Sequence, residues 1–230
     1  DKVAVVINGV DLPRYAPRER DVELAAEWDL TDRFVIGYVG THGMAHALSN
    51  VVGAAEVLHQ RGEERVVFML AGAGAEREML MERATASGVA GKQMRFLPMQ
   101  PKDRMPAVWS LCNVALVHLK DSPTFAEVIP SKIFEAMGMG LPVLIAAPEG
   151  EATAIVLDDA AGLVVEAENP EALADAAVRL LEDKTLREGL AAASHAAANL
   201  HSREAQAQQF IDVLEDVVAG RGATSGRDQA

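Results

Sequence analysis

Two carboxylates, Glu127 and Glu135, stand with seven residues between them, and Ser131 and Lys132 lie in that interval. Pro130, just ahead, is expected to set the first turn of a helix, since its fixed φ suits that position and its missing N–H is not needed there. The first N–H groups of a helix have no internal partner, and the macrodipole adds partial positive charge. Such an end takes a phosphate readily. Ser131 would add a hydroxyl and Lys132 a full positive charge. Glu135, one turn further in on the side of Ser131, can accept two hydrogen bonds from a vicinal diol such as a ribose. Glu127, before the helix, is placed to meet whatever the diphosphate carries. The set suits a nucleoside diphosphate with a sugar attached.

Those side chains need elements to hold them. Ile133, Phe134 and Met137 have the spacing of an inward helix face. Gly138 and Gly140 can end that helix, and Pro142 keeps it from resuming. Residues 143–147 form an apolar run, as expected of a strand buried on both faces of a parallel sheet. Similar runs at 34–39, 66–70, 94–97, 114–119 and 162–165 predict five more strands, and residues 3–7 read as another ahead of the Asn8-Gly9 turn. Helices are predicted between them: a short one with Val22, Leu24, Ala25 and Trp28 as its apolar side, then 48–58, 76–85, 102–111 and 151–158. Pro170 starts a helix through Leu181, an Ala-rich helix spans 185–200, and Ser202 caps a last one through about Val218. The alternation predicts an α/β fold, a Rossmann-like parallel sheet with helices on both faces and right-handed crossovers. Ligands of such sheets bind outside the carboxyl ends of the strands. The loops 40–43, 71–74, 97–100 and 120–131 all fall there.

Each loop admits a plain reading beside the chemical one. Gly40, Thr41, His42 and Gly43 can bring backbone amides close to a phosphate, or simply turn the chain. The loop of Leu97, Pro98, Met99 and Gln100 reads by itself as a plain connection. His118 ends a buried strand near the site and reads equally as a core histidine or a substrate contact. His42 and His46 lack an evident third partner for a metal, and Asp158-Asp159 before Ala-Ala-Gly reads as a turn.

The two glutamates, the Gly140-Leu141-Pro142-Val143 run and the order of the other segments resemble the Glu-x7-Glu pattern of family-4 glycosyltransferases with the GT-B fold. The resemblance extends from Asn8-Gly9-Val10-Asp11 to about Asp183. The run from Pro130 to Glu135 resembles a subgroup that builds bacterial surface polysaccharides, including fucosyl and amino-sugar transferases. It implies one half of a GT-B enzyme: an interdomain hinge and connection at 1–33, a nucleotide-sugar-binding domain at 34–183, and C-terminal helices at 184–219. It implies sugar transfer with retention from UDP or GDP sugars, without a bound metal or other cofactor. Lys132 and Ser131 would stabilise the leaving diphosphate, Glu135 would hold the ribose and Glu127 the donor sugar. The 40–43 turn would lie at the diphosphate and Leu97–Pro98 at the base. The family usually carries an Arg and a Lys near that turn, and here His42 and His46 occupy the region. The acceptor domain would precede residue 1, consistent with a chain that begins at Asp1 rather than Met, and this piece alone would not turn over. An acceptor linked to lipid would set the work at the inner face of the cytoplasmic membrane. Other readings are a non-catalytic nucleotide-sugar-binding or regulatory module, and a nucleotide-sugar epimerase of related fold.

Composition bounds these readings. Of 230 residues, 34 are acidic and 21 basic, a net charge of −13, which argues against nucleic acid as a partner and against a polybasic membrane patch. Half the residues are hydrophobic and the mean hydropathy is +0.08, enough for a sizeable core. The lone Cys112 excludes an intrachain disulfide, fits a reducing, cytoplasmic setting, and reads as an inert buried thiol. No apolar run has the length of a membrane span. Residues 220–230 read as a disordered tail.

Overall fold

The computed structural model describes residues 3–219. Six parallel strands form one sheet in the order β3-β2-β1-β4-β5-β6. They are β1 (Phe34–Val39), β2 (Val66–Ala71), β3 (Met94–Leu97), β4 (Val114–His118), β5 (Val143–Ala146) and β6 (Gly162–Val165). β1, β2, β4 and β5 are buried at every position, which is why they read as unbroken apolar runs rather than alternating ones. The strand order reverses between β1 and β4, whose registers pair Ile36 with Val114 and Gly37 with Ala115. A crevice for ligands opens at such a reversal.

Helices cover both faces. On one side α2 (Ser49–Gln60), α3 (Arg77–Ala86) and α8 (Pro170–Glu182) pack over Ile36, Phe68, Leu116 and Leu144. Leu48, Val51, Val52, Ala55 and Leu58 are all fully buried, so the period predicted for this stretch is the one that packs. On the other side α4 (Met105–Ser110) and α6 (Lys132–Gly138) share a core with Val35, Val67, Val117 and Ile145. Val10, Tyr15, Leu24 and Leu30 join that same core, as do Ala197 and Ala198. The remaining helices are α1 (Val22–Glu27), α5 (Pro123–Ala126), α7 (Glu151–Asp158), α9 (Lys184–Ala197) and α10 (Arg203–Val218). Asp21, Asn169, Asp183 and Ser202 cap α1, α8, α9 and α10 through side-chain oxygens.

Several expectations change. Residues 3–7 form no strand, and Val3 and Val5 are exposed at 76% and 80%. An apolar run becomes a strand only beside a partner, and among the described residues this segment has one bridge further on, Val10 with Ser202. Val22 faces solvent, so the inward side of α1 is Leu24 and Ala25. The helix expected over 102–111 begins only at Met105, with Pro106 in its first turn. Pro130 lies one residue before the N-cap Ser131, outside the first turn. The pair Ser122-Pro123 starts the short helix α5 inside the segment 120–131 expected to be loop, with Pro123 in its first turn. The tail expected to be disordered lies outside the described residues.

Candidate functional site

The start of α6 faces the turn that follows β1. Lys132 leaves the first turn of α6 almost fully buried, at 9% exposure. Its Nζ sits 4.0 Å from the centroid of the Tyr38 ring. A Cβ added to Gly40 would lie 3.2 Å from the same Nζ. Residues far apart in sequence thus share one edge of the sheet. None of the ion pairs among the described residues involves Lys132. Burial pushes its ammonium down to about 8, with the charge of Glu135 opposing the shift.

Tyr38 organises the turn. Its hydroxyl donates to the carbonyl of Thr41 at 2.8 Å. His42 and His46 flank its ring, with centroids 6.1 and 5.7 Å away. His46 Nδ1 lies 3.4 Å from the carbonyl oxygen of His118, and the His118 ring meets Asn50 of α2 at 2.7 Å. The backbone N–H of Lys120 donates to Ala45 at 2.9 Å and ties the loop after β4 to the loop after β1. Burial holds both His42 and His118 down to about 4, helped by Arg77, His46 and Lys132 around His42. The imidazole of His46 is lowered by burial and by Lys132. All three are neutral near pH 7, so the positive charges of this neighbourhood are those of Lys132 and, beside His42, Arg77. Both ring nitrogens of His42 are buried without a hydrogen-bond partner.

The loop after β2 packs onto that turn. His42 N–H donates to Ala73 at 2.9 Å, and its carbonyl accepts from Glu76 at 3.0 Å. A Cβ on Gly72, where φ is +153°, would lie 1.9 Å from the Gly40 carbonyl oxygen. Only glycine permits this approach. The resulting cavity of about 190 Å³ is lined by Gly40, Thr41, Gly72, Ala73, Met99, Gln100 and Met105, among others.

Glu135, one turn along α6, meets a different set of partners. Its Oε2 accepts from the indole N–H of Trp109 at 3.0 Å. Burial raises its carboxyl above the usual range, against the pull of Trp109 and Lys132. Tyr15 stands beside it, its phenol pushed up to about 12 by burial and by the charge of Glu135. Glu135, Tyr15 and Ser131 line a cavity of about 700 Å³ that also reaches Asn8, Asp11, Arg203 and Phe210. Replacing Trp109 by Phe should cost roughly 1–3 kcal/mol, because a buried carboxylate loses a donor. Glu135 already has a raised folded-state pKa, and the variant raises it further. The cost therefore grows as pH rises and the carboxylate ionises; melting curves at pH 5 and pH 8 should show the larger deficit at pH 8.

The sequence-derived candidates therefore divide. Gly40 and Thr41 line the small cavity, Ser131 and Glu135 the large one, and Lys132 reaches from α6 to the β1 turn. His42 lies beneath the turn, fully buried, and Gly43 leads into a 3-10 turn at Met44–His46. Glu127 is exposed at the end of α5. Leu97 points into the core and its carbonyl already accepts from Gly72 at 3.2 Å, while Pro98 is exposed. Neither lines the small cavity; their neighbours Met99 and Gln100 do. The sequence marks none of Tyr38, Trp109 and Tyr15, and offers Gly72 only as part of the 71–74 loop. The Gly72-Ala73-Gly74 spacing after a strand was a usable signal; nothing local marked the three aromatics. Among the described residues no group of three His, Cys, Asp or Glu side chains is arranged to hold a metal. Cys112 is buried and its thiol is pushed up to about 12, an inert state.

Residues 23–196 match the family model described as glycosyl transferases group 1. A D-inositol 3-phosphate glycosyltransferase of Salinispora tropica is 32% identical over 95% of this chain and 47% of its own length. One of Nocardia farcinica is 31% identical over 99% of this chain and 51% of its own. The chain spans about half the length of the curated relatives it matches. The crystal structure of Anabaena HepE in complex with UDP and glucose superposes with a TM-score of 0.79 at 21% identity, over 91% of this chain and 56% of that one. At that identity it shares the fold.

Proposed function

The chain belongs to the glycosyl transferases group 1 family, and from that premise we propose that it is the donor-binding half of a retaining glycosyltransferase that uses a UDP sugar. The observation that carries the reading is the meeting of Lys132 with the Gly40 turn, where a buried ammonium without an acidic partner faces closely packed backbone at a strand-order reversal. An anion such as a diphosphate completes such a site. In this reading Lys132, Ser131 and the first amides of α6 stabilise the leaving diphosphate. Glu135, steadied by Trp109, takes the ribose hydroxyls, and Glu127 meets the donor sugar. The base enters the small cavity against Met99, Gln100 and Met105. UDP is preferred to GDP because HepE was solved with UDP.

The other half of the protein would carry the acceptor site. Phe210, Ile211, Leu214, Val217 and Val218 leave an apolar stripe of α10 exposed, and Val3 and Val5 are exposed as well. These surfaces suit packing against such a domain. The run Pro130 to Glu135 supports a saccharide or lipid-linked acceptor in bacterial polysaccharide biosynthesis, with the enzyme at the inner membrane face. The names of the curated relatives favour a second acceptor class, a phosphorylated polyol. Among the described residues no helix is long and apolar enough to cross a membrane.

Calorimetric titration of the chain with UDP and GDP tests the donor reading. UDP should bind with the lower Kd, and Glu135→Ala should weaken it by about tenfold, the loss of one or two hydrogen bonds to a charged group. Absence of UDP and GDP binding at millimolar ligand, in this chain and in a longer protein that includes the acceptor domain, would sink it.

A further inference from the structure

Lys132 is held by an aromatic ring where a carboxylate would be the ordinary partner. Tyr38 is fully buried in β1, and two of its groups act in different directions. The ring lies under the Lys132 ammonium at 4.0 Å, and the hydroxyl donates to Thr41 in the turn above at 2.8 Å. The nearest acid by charge, Glu135, is engaged with Trp109 at 3.0 Å. A carboxylate on Lys132 would neutralise it and compete with an incoming anion. The face of an aromatic ring attracts the cation without carrying a formal negative charge, so the ammonium stays available. The hydroxyl meanwhile occupies the Thr41 carbonyl, which fixes the orientation of the peptide groups between Gly40 and Gly43.

We propose that Tyr38 is a positioning residue for a diphosphate: its ring presents the Lys132 ammonium to the anion and its hydroxyl sets the Gly40–Gly43 turn that faces the same anion. The inference rests on the donor reading above and adds a residue that no motif marks. It predicts that the Tyr38 ring acts on the diphosphate through Lys132, while the hydroxyl, which sets a turn that also lines the small cavity, bears on the base as well.

The test measures UDP and uridine binding by NMR titration in the wild type, Tyr38→Phe, Tyr38→Leu, Lys132→Met and the two double variants. Tyr38→Phe keeps the ring and should weaken UDP by about threefold, the effect of one neutral hydrogen bond. Tyr38→Leu also loses the ring and should weaken UDP by about tenfold or more. For uridine, which lacks the diphosphate, Tyr38→Leu should cost no more than Tyr38→Phe, since both lose the hydroxyl that sets the turn and only the diphosphate senses the ring. In the Lys132→Met background the ring has nothing to hold, so Tyr38→Leu should cost no more than Tyr38→Phe. A merely structural Tyr38 would make Tyr38→Leu cost more than Tyr38→Phe for uridine as it does for UDP, and that result overturns the proposal. Equal cost of Tyr38→Leu with and without Lys132 overturns it too. Failure of the donor reading looks different: the wild type would then bind neither UDP nor uridine.

Discussion

Lys132→Met should make the protein more stable while weakening UDP by about ten- to a hundredfold. The binding loss is that of a charge-assisted hydrogen bond, roughly 1.5–3 kcal/mol. The stability gain comes from removing a buried charge. The ammonium has an unfolded value of 10.5 and a folded value of about 8, a difference worth roughly 3 kcal/mol against folding. The Tyr38 ring returns about 1–2 kcal/mol of that. Met fills similar space without a charge, so a net gain of about 1–2 kcal/mol is expected, a few °C in Tm for a chain of this size. The sign follows from proton linkage. Between the two values the unfolded state holds more protons, so wild-type stability rises with pH there. The penalty is complete below about pH 8 and relieved toward 10.5. Melting curves of both proteins at pH 7 and pH 10 should therefore converge at the higher pH. A variant less stable than wild type at pH 7 would mean that the lysine is not desolvated as described.

Gly72→Ala should damage both fold and binding. The added Cβ would stand 1.9 Å from the Gly40 carbonyl oxygen at a φ of +153°. Backbone cannot swing aside as a side chain can, so the loops after β1 and β2 must part. Overpacking of this kind costs about 1–3 kcal/mol, and the unfavourable φ adds about 1. Parting the loops opens the small cavity and moves the turn that faces Lys132. UDP binding should fall by about a hundredfold or more, with Tm lowered by roughly 5–10 °C. Gly62→Ala is the control. Gly62 also has a positive φ, +71°, but a Cβ there meets nothing within 4 Å. It should cost about 1 kcal/mol and leave UDP binding intact. Equal binding by the two variants, measured by calorimetry, would show that the Gly40–Gly72 approach does not shape the site.

The six strands of the sheet were legible because burial on both faces forces unbroken apolar runs, and each predicted run lies within a residue of its strand. The run at 3–7 has the same composition and is no strand, because pairing depends on a neighbour and not on the residues themselves. Pro130 and the Ser122-Pro123 pair show a similar limit. Proline marks a helix start well, but two such marks seven positions apart, Pro123 and Pro130, do not say which lies inside its helix. In the candidate site, Lys132 and Glu135 stand out by type and spacing. Their surroundings do not. Tyr38 reaches Lys132 across 94 positions and Trp109 reaches Glu135 across 26. A buried aromatic reads as core filler until the element packed against it is known. The buried state of Lys132 was equally hidden, since a lysine at a helix start is ordinarily solvated.

The order β3-β2-β1-β4-β5-β6 also bears on how the molecule assembles. β1 to β3 can pair among themselves, and so can β4 to β6. Among the described residues only the β1–β4 pairing joins the two sets of strands, and it links Ile36 to Val114 across 78 residues. Parallel pairing over such separations is slow, since chain entropy is lost before contacts reward it. Tyr38, Gly40 and Gly72 belong to the first set; His118, Lys132 and Glu135 belong to the second. No partly assembled chain holding one set alone contains the cluster. On the proposed donor reading, the ability to hold a diphosphate would emerge only when the β1–β4 seam has closed, and a ligand bound there would draw the population toward the fully joined state by mass action.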